Sequence, residues 1–197
     1  MPEAAALKES VEVPFEHLEG AQINLERIEA DEAFAQTLAA DVEFRQTLGI
    51  LERTPTLEEL KTMMADFELV VWRIKRKVDQ QHRGYVGFVS YDGPPYIAFH
   101  SNFPEEAELW GQEVIGLLLP VFFGNTYESA LFIYPPKPLS ETLHALLIEG
   151  GFDHWDDNPT MNRDLVTCYF IERHTYEAYY GESGDEFEEY GDEDHGY

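Results

Sequence analysis

At 197 residues, with 44% hydrophobic and 14% aromatic side chains, the chain is long enough for one domain with a real core and too apolar to be disordered throughout. Its 13 basic and 39 acidic residues give a net charge of −26, which repels nucleic-acid phosphates and anionic lipid and attracts basic proteins or peptides. The single cysteine, Cys168, excludes an intrachain disulfide and a cysteine-ligated zinc cluster. No apolar run approaches the ~20 residues of a membrane span, and no basic segment precedes an apolar one at the start, so the expectation is a cytoplasmic protein.

Residues 1–17 read as an acidic leader without periodicity. Ile23, Leu25 and Arg27 then alternate with polar neighbours, the period of a strand. Asp31 has the position of an N-cap, and Phe34, Leu38, Val42 and Phe44 or Arg45 follow at helical spacing until Gly49. Thr56-Leu57-Glu58-Glu59 spells a capping box ahead of a second helix that buries Leu60, Met63, Met64 and Phe67.

An antiparallel meander of three strands comes next. Over 69–78, Val70, Trp72 and Ile74 share one face and Arg73, Lys75 and Lys77 the other. Strands over 84–91 and 95–100 are joined by the turn Asp92-Gly93-Pro94, and the polar stretch 79–83 makes the other connection. Residues 104–123 form a long helix with Leu109, Val114, Leu117, Leu118, Val121 and Phe122 inside, closed by Gly124-Asn125. A short strand over 130–134 leads through the stiff Pro135-Pro136-Lys137-Pro138 to a helix over 140–149 that buries Leu139, Leu143, Leu146 and Leu147. Strands over 152–155 and 165–171 and a terminal turn or helix over 176–180 complete the domain.

Residues 181–197 carry eight acids, no Lys or Arg, and the aromatics Phe187, Tyr190 and Tyr197. This is the composition of a disordered tail, either solubilising or able to capture a basic surface. Arg73, Lys75, Arg76, Lys77 and Arg83 hold five of the 13 basic residues. They read as a solvated strand face or as a docking patch for an acidic partner or for the tail itself. The run Asp153-His154-Trp155-Asp156-Asp157-Asn158 is rich in metal-ligand types, but successive strand side chains point to opposite faces, so no metal site is expected. Cys168 reads as buried and inert.

The order of strand, two helices, meander, long helix, strand, helix and two strands resembles the GNAT acetyltransferases, in particular their ribosomal-protein N-terminal acetyltransferase branch. Leu18-Glu19-Gly20 followed by Ile23-Asn24-Leu25-Glu26-Arg27-Ile28 resembles that branch's opening strand. Gly84-Tyr85-Val86-Gly87-Phe88 resembles a strand of its meander, and Glu149-Gly150-Gly151-Phe152 the K-x-G-F run that closes its last core helix. The resemblance covers roughly residues 18–175. It implies an α/β (α+β) domain over 18–180 with a mixed, mostly antiparallel central sheet flanked by helices.

The resemblance also implies acetyl-CoA, held by a loop of type R/Q-x-x-G-x-G/A at the start of the long helix, where free amides and the helix dipole favour an anion. Counting back from Gly111-Gln112-Glu113, the loop falls on Glu106-Ala107-Glu108-Leu109-Trp110-Gly111. Leu109, Trp110, Gly111 and Gln112 then stand at the cofactor. Only the last glycine of the pattern is present, Leu109 replaces the middle one, and Glu105, Glu106 and Glu108 would oppose a pyrophosphate. Ser140 takes the position of the family's Asn, and Leu147 that of its proton-donating Tyr, a role leucine cannot fill. Two readings follow. One is an N-acetyltransferase acting on an amine, such as the N-terminus of a basic peptide or protein, with His100 and Glu105 taking up the proton. The other is a GNAT-fold binding or assembly protein, without the cofactor, that uses its acidic surface and tail.

Overall fold

The computed structural model describes residues 16–65, 67–90, 93–101, 104–135, 140–155 and 166–181, with the backbone alone over 104–109. The leader up to residue 15, Asp92 of the expected turn, the segment 136–139, the acids at 156–157, Leu165 and the tail from residue 182 lie outside the described residues.

The alternation at the start produces β2 (Ile23–Arg27), and the end of the expected leader adds a short β1 (His17–Glu19) that pairs with it, His17 opposite Glu26. α1 (Glu32–Ala40) and α2 (Val42–Thr47) replace the single helix expected after Asp31. The break is at Asp41, whose extended backbone (φ −109°, ψ 94°) ends one helix and starts the next. Its N–H bonds to the Thr37 carbonyl, and its Oδ1 accepts the Phe44 N–H at 2.8 Å. Val42 therefore opens a fresh helix and stands 48% exposed rather than in the core.

In α3 (Leu57–Ala65) the capping box forms as expected: Thr56 N–H donates to Glu59 Oε2 at 2.7 Å, and Glu59 N–H to Thr56 Oγ1 at 3.3 Å. β3 (Leu69–Arg76), β4 (His82–Val89) and β5 (Tyr96–Ser101) are the meander. β4 starts earlier than expected and takes Arg83 in as a bulge, because the register passes from Ile74↔Gly84 to Lys75↔His82. α4 (Pro104–Asn125), β6 (Ala130–Ile133), α5 (Glu141–Glu149), β7 (Asp153–His154), β8 (Tyr169–Glu172) and α6 (Arg173–Tyr180) follow.

Among the described residues the strands form one sheet in the order β1-β2-β3-β4-β5-β6-β8-β7, antiparallel throughout except between β5 and β6. It is the mixed, mostly antiparallel sheet flanked by helices that the sequence order implied. Helices cover both faces. Val70, Trp72 and Ile74 pack with Leu118, Phe122 and Leu147 of α4 and α5, whereas Leu69 and Val71 pack with Phe34, Leu38, Phe44 and Leu60 of α1 to α3. β3 thus reads Leu-Val-Val-Trp without a break because both its faces are buried there. Toward its end α1 to α3 no longer cover it, and Arg73 emerges. No helix among the described residues is long and apolar enough to cross a membrane.

Candidate functional site

Parallel strands need a crossover, and α4 supplies it between β5 and β6. The two strands meet at Tyr96↔Phe132 and Ile97↔Ile133, where their ladder ends. Residues 98–101 of β5 continue against β4 alone, with Phe99 opposite Val86 and His100 opposite Tyr85. β6 passes instead through Tyr134 into the buried Pro135, whose carbonyl accepts the Thr167 N–H at 3.0 Å. A wedge therefore opens beyond Ile97, bordered by a strand that, among the described residues, is hydrogen-bonded on one side only. Such an edge offers N–H and C=O groups to an extended ligand.

The two sides of the wedge differ. Toward α4, Phe99 packs on Trp110 with ring centroids 6.3 Å apart. On the other face His100, its side chain 11% exposed, puts Nε2 3.3 Å from Asp41 Oδ2 and its ring 5.2 Å from Phe44. Phe44 in turn stacks on Tyr85 at 4.2 Å. The carboxylate that caps α2 thus also holds the histidine at the end of β5, an arrangement that orients an imidazole for proton transfer. The sequence placed Asp41 inside a helix and gave no sign of this partnership.

Register extends the polar row. Glu26, Arg73, Tyr85 and His100 lie opposite one another in turn across β2, β3, β4 and β5, with Lys75 opposite His82 beside them. Lys75 pairs with Glu26 at 2.7 Å. The His82 imidazole is held below its usual pKa, first by burial and then by the positive charges of Arg73, His100 and Lys75, although its Nε2–H donates to the Gly84 carbonyl at 2.8 Å. Four cationic or protonatable groups therefore share one sheet face of a chain with net charge −26.

The segment over 106–111 is helical, because α4 begins at Pro104. Proline suits a first helical position, and unpartnered amides are confined to that end of the helix. The amides of Leu109, Trp110, Gly111 and Gln112 lie deeper and point to carbonyls four residues earlier. Trp110 is 3% exposed and belongs to the core, and Gln112 points outward. At Gly111 an added Cβ would meet only Leu146 Cδ1 at 3.8 Å, so no close approach calls for glycine there. The amides of these four residues are engaged along the helix and are not free to cradle an anion. Glu105 is the second residue of α4, four positions after Ser101, the last residue of the strand that carries His100. Leu147 is fully buried.

A second cluster had no counterpart in the sequence. His144 Nδ1 lies 2.6 Å from Tyr169 Oη, and His154 stacks on the Tyr169 ring at 4.9 Å. The strand pairing His154↔Tyr169 creates it, a non-local register that spacing along the chain does not reveal.

No family model matches the sequence, and no curated protein matches it. Solved structures do match. Spermidine N-acetyltransferase from Vibrio cholerae in complex with CoA and spermine superposes with a TM-score of 0.53 at 15% identity, over 79% of this chain and 98% of that one. FdhC, a nucleotide-linked sugar GNAT, gives 0.52 at 17% identity, over 82% of this chain and 93% of that one. At such identities the shared property is the path of the chain. The wedge after two paired residues, the crossover helix and the strand order together make this chain a protein of the GNAT acetyltransferase fold.

Proposed function

We propose that the chain uses the GNAT fold as a binding scaffold for a basic protein or peptide rather than as an acetyl-CoA-dependent enzyme. The observation that supports this reading is the continuous helix over 106–111, where the family resemblance would put an anion-binding loop. Its first turns carry Glu105, Glu106 and Glu108, and carboxylates at a helix N-terminus already satisfy the dipole that a phosphate would use. A phosphate ~4 Å from one of them meets a repulsion of about 1 kcal/mol in water and ~4 kcal/mol at a surface-like dielectric. The net charge of −26 favours encounter with a cationic partner.

The test is a melting experiment with and without millimolar acetyl-CoA, run beside titration with an oligolysine peptide. Ligand at ~100 times its dissociation constant adds roughly 2.7 kcal/mol to stability, a shift of several degrees. The scaffold reading expects no shift with acetyl-CoA and a salt-sensitive association with the peptide. A clear shift with acetyl-CoA overturns it.

The His100–Asp41 contact at the mouth of the wedge favours a second reading. In an N-acetyltransferase, His100 held by Asp41 takes the proton from the attacking amine, with Glu105 nearby. That reading expects acetyl transfer to an amine, lost in His100→Ala.

A further inference from the structure

We infer that the cationic strip at the end of β3 and β4 is covered by the chain's own residues 182–197. The strip is built by register: Arg73 and Lys75 alternate on one face of β3, with His82 opposite Lys75. Lys77 follows and donates to the Gly20 carbonyl at 2.9 Å. Acids temper part of this charge, since Arg76 and Arg83 share Asp79 and Lys75 pairs with Glu26. Arg73 is exposed and has no carboxylate partner among the described residues. Of the five basic residues between positions 73 and 83, Arg83 is buried and Arg76 lies opposite Ile23 on the other face, so Arg73, Lys75 and Lys77 carry the strip. To an acidic segment, the rest of this acidic surface is repulsive and this strip is the attractive exception.

Residues 182–197 are its electrostatic complement, with Glu182, Asp185, Glu186, Glu188, Glu189, Asp192, Glu193 and Asp194 and no Lys or Arg. The segment leaves the domain after α6, whose end is fixed by Tyr180 Oη donating to the Gly150 carbonyl at 3.1 Å. β8 and β3 are four strand spacings apart in the sheet, about 19 Å at ~4.8 Å per spacing. An extended chain of this length reaches about 50 Å, enough to round the sheet edge and cross to the strip. Phe187 and Tyr190 give it apolar bodies to lay beside the exposed stem of Arg73. The interaction is independent of whether the wedge binds acetyl-CoA.

A nitroxide attached to Gly191→Cys in the full chain reads the contact, since the native Cys168 is buried. The expected result is intensity loss in the amide signals of Arg73, Lys75 and Lys77, with those of α5 and α1 unaffected. The loss disappears when the eight tail acids are changed to Gln and Asn, in Arg73→Glu with Lys77→Glu, and at about 1 M salt, where screening acts within ~3 Å. The same spectra report whether each variant is folded. Intensity loss spread evenly over the surface, or surviving neutralisation of the tail, overturns the proposal. So does loss seen only from labelled to unlabelled copies in a mixed sample, which would assign the strip to a second chain.

Discussion

The carboxylate of Glu113 occupies the space that a side chain on Gly20 would need. A Cβ at Gly20 would fall 1.9 Å from Glu113 Oε1, and that oxygen accepts the N–H groups of Gln22 at 2.8 Å and Ile23 at 3.3 Å. The crossover helix thereby pins the β1–β2 hairpin through its turn. Glu113→Ala is expected to lower stability by about 1–2 kcal/mol, since two amides lose a charged acceptor at a partly hydrated site. Gly20→Ala is expected to do at least as much damage by displacing the carboxylate. Urea midpoints of the two variants and of the double variant check this. Costs that simply add would show that the two residues are not coupled.

Arg173 closes the other end of the same helix. Its guanidinium donates to the carbonyls of Phe123 at 2.8 Å, Thr126 at 2.8 Å and Glu128 at 3.1 Å, and lies 5.0 Å from the centre of the Phe123 ring. Arg173→Ala is expected to cost about 2–4 kcal/mol, combining charged hydrogen bonds with the dipole term. Arg173→Lys recovers only part, because an ammonium cannot reproduce the planar fork. Thermal melts rank the three proteins, and a lysine variant equal to the parent would disprove the fork argument.

Asp41 serves two neighbours, and two substitutions separate them. Asp41→Ala removes the α2 cap and is expected to cost about 0.5–2 kcal/mol. Asp41→Asn keeps a good capping acceptor and deletes only the charge facing His100, so most of that stability should return. If Asn is as damaging as Ala, the carboxylate acts chiefly through the histidine.

Acid titration has a defined direction at Glu59. Hydrogen bonds from Arg53 first and Thr56 next lower its pKa from 4.5 to about 2. A depressed carboxylate adds stability that is present above its unfolded value and lost as pH falls through the folded one. The window is therefore from about pH 4.5 to about pH 2, and Glu59→Gln should flatten the stability curve there. His82 acts at higher pH. Half-buried and depressed below 6.5, it favours the unfolded chain once protonated, so stability should fall as pH drops below about 6.5, less so in His82→Asn.

Elements written in local chemistry were legible in the sequence. The Thr56–Glu59 box and the alternation of β2 formed where spacing put them, and Val114, Leu118, Val121 and Phe122 of the expected α4 stripe are buried. The break at Asp41 was hidden because Phe34, Leu38 and Val42 keep helical spacing across it. Family likeness pointed to a loop at 106–111, but Glu-Ala-Glu-Leu is a run of strong helix formers, and propensity agrees with the helix. The His100–Asp41 and His144–Tyr169 contacts depend on which strands and helices meet across the fold, and short spacings carry no trace of that.

The short seam between β5 and β6 also bears on how the molecule comes apart. With two paired positions joining the β1-to-β5 half to the β6-β8-β7 half, partial opening needs few backbone bonds to break there. The halves are expected to behave as separate cooperative units in native-state hydrogen exchange, with amides of β6 and β8 opening below the free energy of global unfolding and those of β3 and β4 only at it. The geometry that makes room beside β5 is also the line along which the domain first yields.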